Sequence, residues 1–146
     1  MGRWYPGDAR RQAHQEAKEG SLSGVTLDAG ALIALDPGDC RVLVLLARAR
    51  EVGATVTVPA TALAQAIRRP RSQVHLARLI RQPTTELVAL DGPDATSVGI
   101  LLAASRTRDI VDAHVVVCGL RNRQPIVTSD PDDLRRLAPG AEFVML

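Results

Sequence analysis

The stretch "GVTLDAGALIAL", residues 24–35, decides the fold because it sets one carboxylate inside an otherwise apolar segment. The residues before Asp28 are short, apolar and β-branched, a pattern typical of a β-strand. An ionised acid in apolar surroundings costs free energy unless it is paired, hydrogen-bonded or bound to a metal. We therefore expect Asp28 to end the first strand and to have a specific partner there.

Downstream of this stretch, strand-like segments alternate with helical ones. The predicted strands are "ATVTVP" (54–59), "TELVAL" (85–90), "PIVTSD" (125–130) and "EFVML" (142–146). The predicted helices cover 38–53, 60–69, 71–82, 91–105, 109–123 and 131–139. This alternation predicts an α/β domain with a mainly parallel sheet that is covered by helices on both faces.

Length and composition favour one folded domain. The chain has 146 residues, enough for a single core. Residues 1–23 are polar and carry glycines and a proline, so we expect a flexible extension with a short helix over 9–19. The folded domain, residues 24–146, is predicted to begin near Gly24.

Several classes of protein are disfavoured by composition. No apolar run is long enough to cross a membrane, and the N-terminus is too polar for a signal peptide, so we expect a cytoplasmic protein. Cys40 and Cys118 are too few and too isolated to predict a disulfide framework or a zinc site. The formal charge is +2 and Lys18 is the sole lysine, so the cations are mostly arginines, which permit a phosphate-bearing partner. Aromatic residues make up 2%, which leaves little for base stacking.

Acidic residues converge on one predicted edge of the sheet. Asp28 and Asp130 each lie at the carboxyl end of a predicted strand, where ligands bind in parallel sheets. Asp109 and Asp112 are three residues apart at the start of a helix and therefore share one face. Carboxylates brought together repel one another unless a hard cation such as Mg²⁺ or Mn²⁺ lies between them.

Each acid also has a plainer structural interpretation. Asp28 and Asp130 suit a turn or a helix N-cap, the latter with Pro131 at the first helical position, and Asp109 suits the positive end of a helix. Asp132 and Asp133 are interpreted as solvated acids of a first helical turn. His75 and His114 have no metal-ligand spacing and are interpreted as packed or surface residues.

Taken together, "TLDAGALIAL", "RDIVDAHVVV" and "IVTSDPDDL" resemble the PIN-domain proteins, most closely the VapC-type toxins of bacterial toxin-antitoxin pairs. The resemblance covers residues 25–146. It implies a three-layer α/β/α fold and a Mg²⁺- or Mn²⁺-dependent endoribonuclease that cleaves structured RNA such as tRNA or rRNA. It also implies a homodimer, inhibited by a small antitoxin. On this resemblance Asp28, Asp112 and Asp130 are the catalytic, metal-binding acids, and Asp109 is an accessory acid.

One position departs from the family pattern. PIN nucleases usually carry a glutamate in the helix after the second strand, where this chain has Gln65. A neutral amide removes one negative charge, so a divalent cation should bind less tightly. Asp109 would compensate if its side chain faced the site. The alternative to a nuclease is therefore a PIN-fold module that binds RNA or a protein partner without turnover.

Other classes that begin with an aspartate after the first strand fit less well. Haloacid-type phosphatases need a second aspartate where this chain has Gly30, and receiver domains and P-loop enzymes need a lysine that the domain lacks.

For the nuclease, four arginines are candidate contacts to the RNA backbone: Arg68, Arg69, Arg71 and Arg106. The helices predicted over 38–53 and 71–82 carry apolar stripes beside arginines. They could form a groove that binds an amphipathic segment of an antitoxin.

Overall fold

The sheet is built around β1 (Gly24–Leu27), whose four residues are all buried. It pairs in parallel with β2 (Thr55–Pro59) on one side and with β4 (Ile126–Thr128) on the other. β3 (Thr85–Val88) and β5 (Phe143–Met145) complete an all-parallel sheet of order β3-β2-β1-β4-β5. A strand with neighbours on both sides and helices on both faces is buried throughout, which explains its continuous apolar sequence.

The computed structural model describes residues 24–146, so the extension over 1–23 and its short helix lie outside the described residues. Every predicted helix in this range is present. A further short helix, α1, follows Asp28 directly and was not predicted. The helices are α1 (Ala29–Ile33), α2 (Cys40–Glu51), α3 (Ala60–Ala66), α4 (Val74–Ile80), α5 (Gly92–Ser105), α6 (Ile110–Asn122) and α7 (Pro131–Leu137).

The helices form the two outer layers of a three-layer α/β/α domain, as predicted. The chain runs from β1 outward to β3 and then returns to β4 and β5. Right-handed crossovers in these opposite directions place α2 and α4 on one face of the sheet and α6 on the other. α6 contacts the three central strands, while α5 and α7 pack beside it.

Close packing between α6 and the sheet depends on Gly119. A Cβ atom at this position would lie 2.8 Å from Cγ1 of Ile126, which is too close for two carbon atoms. Ile126 is fully buried in β4. The glycine therefore lets the last turn of α6 rest directly on the sheet.

The strand order reverses between β1 and β4, because the chain leaves β1 in one direction and enters β4 after returning from the far edge. In open parallel sheets the crevice at such a reversal, at the carboxyl ends of the strands, is where ligands bind. Asp28 follows β1 directly, and Asp130 lies two residues after β4. The topology thus brings the two acids to the two sides of this crevice. Among residues 24–146, no helix is long and apolar enough to cross a membrane.

Candidate functional site

Asp28 is a buried acid that begins a helix. Its Oδ1 atom accepts a hydrogen bond of 2.7 Å from the backbone N–H of Ala31, which makes it the N-cap of α1. The residue is only 8% exposed. Burial raises the pKa of Asp28, and the charge of Asp130 adds to the increase; hydrogen bonds from Thr128 and from the start of α1 oppose it. The capping role is therefore confirmed, and only one carboxylate oxygen is used for it.

Asp130 is held beside Asp28 through its backbone. Its N–H donates a hydrogen bond of 3.0 Å to Oγ1 of Thr128, which is fully buried at the end of β4. Asp130 occupies the N-cap position of α7, with Pro131 at the start of the helix as predicted, but its side chain makes no capping hydrogen bond. The carboxylate is exposed and free to bind something other than its own helix.

Asp112 lies in the first turn of α6 and is the most perturbed acid of the site. Its backbone N–H donates a hydrogen bond of 3.0 Å to Oδ1 of Asp109, the N-cap of that helix. The pKa of Asp112 is raised to about 6, mainly by burial and then by the negative charges of Asp109, Asp133, Asp28 and Asp130, in that order. Each of these four charges acts on Asp112, so the five acids face the same edge of the sheet. We call them the acid rim.

Asp133 belongs to the acid rim although the sequence interpretation placed it in solvent. It is exposed in the first turn of α7, as expected, yet its charge contributes to the raised pKa of Asp112. Its position three residues after Asp130 was the available signal, because residues three apart on a helix lie on one face.

The acid rim has no paired cation within the part of the chain that the structure describes. Among residues 24–146, none of its members forms an ion pair; the acids that do are Asp39, Asp94 and Asp132. An unpaired set of carboxylate oxygens matches the chemistry of a hard divalent cation. No three of the acids bring ligand atoms within 4.8 Å of one another, so the rim is open and its side chains would have to close around an ion.

Gln65 is not joined to the acid rim by any hydrogen bond among the described residues. It is exposed on α3, and its backbone carbonyl accepts a hydrogen bond of 3.1 Å from Nε of Arg68. α3 itself packs against α1 and α6, the two helices that follow Asp28 and carry Asp112. α3 therefore borders the acid rim, but the side-chain amide of Gln65 makes no hydrogen bond to it among the described residues.

A second group of possible ligands lies between α5 and α6 and was missed by the sequence interpretation. Asp94, His114 and Cys118 each bring one ligand atom within 4.8 Å of the others, and all three are buried. Cys118 is therefore not isolated, and His114 is packed as expected but next to two other potential ligands. This group could hold a metal ion. The signal in the sequence was the four-residue spacing of His114 and Cys118, which places both on one helical face.

Arg121 and Thr61 complete the surroundings of this second group. Arg121 donates two hydrogen bonds to Asp94, of 2.6 and 3.2 Å, and thereby lowers the pKa of that carboxyl. The Oγ1 atom of Thr61 lies 2.7 Å from Nδ1 of His114. Burial lowers the pKa of His114 despite the nearby Asp94 carboxylate, and burial raises the pKa of the Cys118 thiol to about 11.

Comparison with known proteins identifies no family for the chain. No protein-family model matches the sequence, and a search of curated proteins finds no similar one.

Proposed function

We propose that this chain is a PIN-type endoribonuclease, dependent on Mg²⁺ or Mn²⁺, that acts on structured RNA such as tRNA or rRNA as the toxin of a toxin-antitoxin pair. The observation that carries the proposal is the convergence of Asp28, Asp112 and Asp130 from three separate segments. They converge on the crevice between β1 and β4, and none of them forms an ion pair among residues 24–146. Unpaired carboxylates at this place in a parallel sheet are costly to keep unless they serve a ligand.

Asp28, Asp112 and Asp130 would hold the cation, which when bound supplies an activated water and neutralises charge on the phosphodiester. The residues around them fix their positions. The N–H of Ala31 and the hydroxyl of Thr128 hold Asp28, and Asp109 fixes the first turn of α6 through the N–H of Asp112. With a pKa near 6, Asp112 is mostly ionised at neutral pH and available as a ligand.

Arginines supply the positive charge that an RNA backbone requires. Arg68, Arg69 and Arg71 are exposed between α3 and α4, and Arg106 is exposed at the end of α5. Arginine side chains on a surface bind phosphates and position the nucleic acid without reading its sequence. Their proposed role is therefore to hold RNA across the acid rim.

The test is cleavage of pooled tRNA and rRNA by the purified chain with Mg²⁺ or Mn²⁺. We expect cuts that vanish with a chelator and in Asp28→Asn. The matched control is Asp132→Asn, because Asp132 lies in the same region but pairs with Arg135. Equal cleavage by wild type and Asp28→Asn would contradict the proposal.

The second candidate is a PIN-fold module that binds RNA or a protein partner without turnover. It is favoured by Gln65, which leaves the usual glutamate position neutral and exposed. If wild type is inactive, Gln65→Glu should gain cleavage while Ala64→Glu does not. Ala64 is exposed on the same helix, one residue away, so the control adds the same charge on a different face.

The proposed antitoxin would bind in a groove between α2 and α4, the two helices identified from their apolar stripes. Its lining includes Leu43, Leu46 and Leu79 together with Arg50 and Arg78. An apolar floor between arginines fits an amphipathic segment that carries acidic residues along its edges. The homodimer that the resemblance implies stays a prediction.

A further inference from the structure

His114 carries a buried nitrogen that none of the described residues satisfies. The side chain is fully buried in α6, and its Nε2 atom has no hydrogen-bond partner among residues 24–146. Its nearest charged neighbour is the carboxylate of Asp94, with Oδ2 at 3.6 Å. Since buried polar atoms are nearly always paired, an imidazole nitrogen that meets the Asp94 carboxylate only at 3.6 Å needs an explanation.

We propose that Asp94, His114 and Cys118 bind one Zn²⁺ ion that ties α5 to α6. The site is separate from the acid rim and independent of the proposed nuclease activity. It joins one ligand from the first turn of α5 to two ligands one helical turn apart on α6. Its role is structural, because it would tie α5 to α6 beside the ion pair of Arg121 with Asp94, which already links the two helices.

The geometry suits a tetrahedral ion. Two ligand atoms at about 2.0 to 2.2 Å from zinc, separated by the tetrahedral angle, lie about 3.4 Å apart. The Nε2 atom of His114 and Oδ2 of Asp94 are 3.6 Å apart, and the Cys118 sulfur lies within 4.8 Å of a ligand atom of each residue. Movements of a few tenths of an ångström would bring the nitrogen and the oxygen onto one ion.

Two neighbouring residues orient the ligands as outer partners do in metal sites. An Nδ1–H group of His114 that donates to Thr61 leaves the lone pair of Nε2 free for the ion. Arg121 holds Oδ1 of Asp94 tightly at 2.6 Å and Oδ2 loosely at 3.2 Å. The loosely held oxygen is the one that faces His114.

The ligand types select zinc over magnesium. A thiolate and an imidazole favour Zn²⁺, whereas Mg²⁺ prefers oxygen ligands. On binding, the Cys118 thiol gives its proton to solvent and its sulfur forms the bond to zinc. The two negative ligands then face the ion, Arg121 stays paired with Asp94, and three protein ligands leave one position of the tetrahedron unfilled.

The test uses Co²⁺ as a spectroscopic substitute for Zn²⁺ in the full chain with Cys40→Ser, which removes the exposed thiol. We expect a cobalt-thiolate charge-transfer band that saturates at one ion per chain and disappears when excess Zn²⁺ is added. Adding Cys118→Ser should abolish the band, and adding Asp112→Asn in the acid rim should leave it unchanged. A band that survives Cys118→Ser, or no band in the parent chain, overturns the proposal.

A second variant keeps all three ligands, so it tests the site even if Cys118→Ser does not fold. Thr61→Val removes the hydroxyl beside Nδ1 of His114 at nearly constant volume, and we expect Co²⁺ to bind about tenfold more weakly. Thr96→Val is the control, because the Thr96 hydroxyl donates to the Gly92 carbonyl on the exposed side of α5. Equal affinities in the two variants would show that Thr61 does not orient a zinc ligand and would count against the site.

Discussion

The Oγ1 atom of Thr128 accepts a hydrogen bond of 3.0 Å from the backbone N–H of Asp130. The same buried hydroxyl lowers the pKa of Asp28 by hydrogen bonding to its carboxylate. One side chain at the end of β4 thus fixes the two acids on either side of the crevice. The acid rim is therefore organised by the sheet itself and not only by the helices that carry its other members.

Replacing Thr128 with valine should destabilise the fold and perturb Asp28 together. Losing the hydrogen bond to Asp130 should cost about 1 kcal/mol of unfolding free energy. The pKa of Asp28 should rise, because one interaction that favours its ionised form is gone. Urea denaturation measures the first effect and an NMR titration of the carboxyl carbons the second.

Thr26→Val is the matched control for this prediction. Thr26 lies on the neighbouring strand β1, and its hydroxyl donates a hydrogen bond of 2.8 Å to Oε1 of Gln124, so its loss should cost a similar free energy. It makes no contribution to the pKa of Asp28. An Asp28 titration that is the same in both variants would mean that Thr128 does not support the acid.

Asp112 should make the fold less stable as the pH rises. Its pKa is about 6 in the folded chain against a usual 3.8, so between these values the folded state binds more protons than the unfolded state. Unfolding free energy therefore falls as pH increases through this window. Asp112→Asn should be more stable than wild type above pH 6, by about 1 to 2 kcal/mol after allowance for solvent screening. The difference should vanish near pH 3.8.

Chemical denaturation of both chains across this pH range checks the prediction. Asp132→Asn should stay within about 0.5 kcal/mol of wild type at every pH, because Asp132 is exposed and only weakly paired. A constant gap between Asp112→Asn and wild type from pH 4 to 8 would argue against the repulsion described for the acid rim.

Gly119 and Gly99 should respond in opposite ways to alanine. At Gly119 the new Cβ atom would press against Ile126, and we expect a loss of about 1 to 3 kcal/mol. At Gly99, in the interior of α5, a Cβ atom meets nothing within 4 Å, so alanine should stabilise the helix by about 0.5 to 1 kcal/mol. Thermal unfolding of both variants measures these changes in stability. A Gly119→Ala variant as stable as wild type would show that α6 can move away from β4.

The order of strands and helices could be predicted from sequence because each element carries its own apolar period. The positions of Asp28 and Asp130 followed from the strand ends alone. α1 was missed because its five residues are too few to display a helical period, and it begins only because Asp28 caps it. The grouping of Asp94 with His114 and Cys118 could not be predicted, since it depends on how α5 packs against α6.

The membership of the acid rim was predicted in part. Strand ends and helical spacing identified four of its acids, and Asp133 was missed although its position three residues after Asp130 distinguishes it from Asp132. For Gln65, the sequence position suggests a place in the site that the side chain does not take. Its sequence position matches a glutamate of the PIN family, while its side chain makes no hydrogen bond to the acids among residues 24–146. Sequence spacing alone does not determine which way a surface side chain turns.

The most direct test of the central claim is a Mn²⁺ titration at pH 7.5, in which electron paramagnetic resonance reports the free ion. We expect one Mn²⁺ site per chain, weakened at least about tenfold in Asp28→Asn and in Asp112→Asn because each loses a charged oxygen ligand. Gln65→Glu should bind the ion more tightly, and Asp94→Asn should bind it as wild type does. Mn²⁺ binding that is absent from wild type, or unchanged when Asp28 and Asp112 are neutralised, would contradict a metal site at the acid rim.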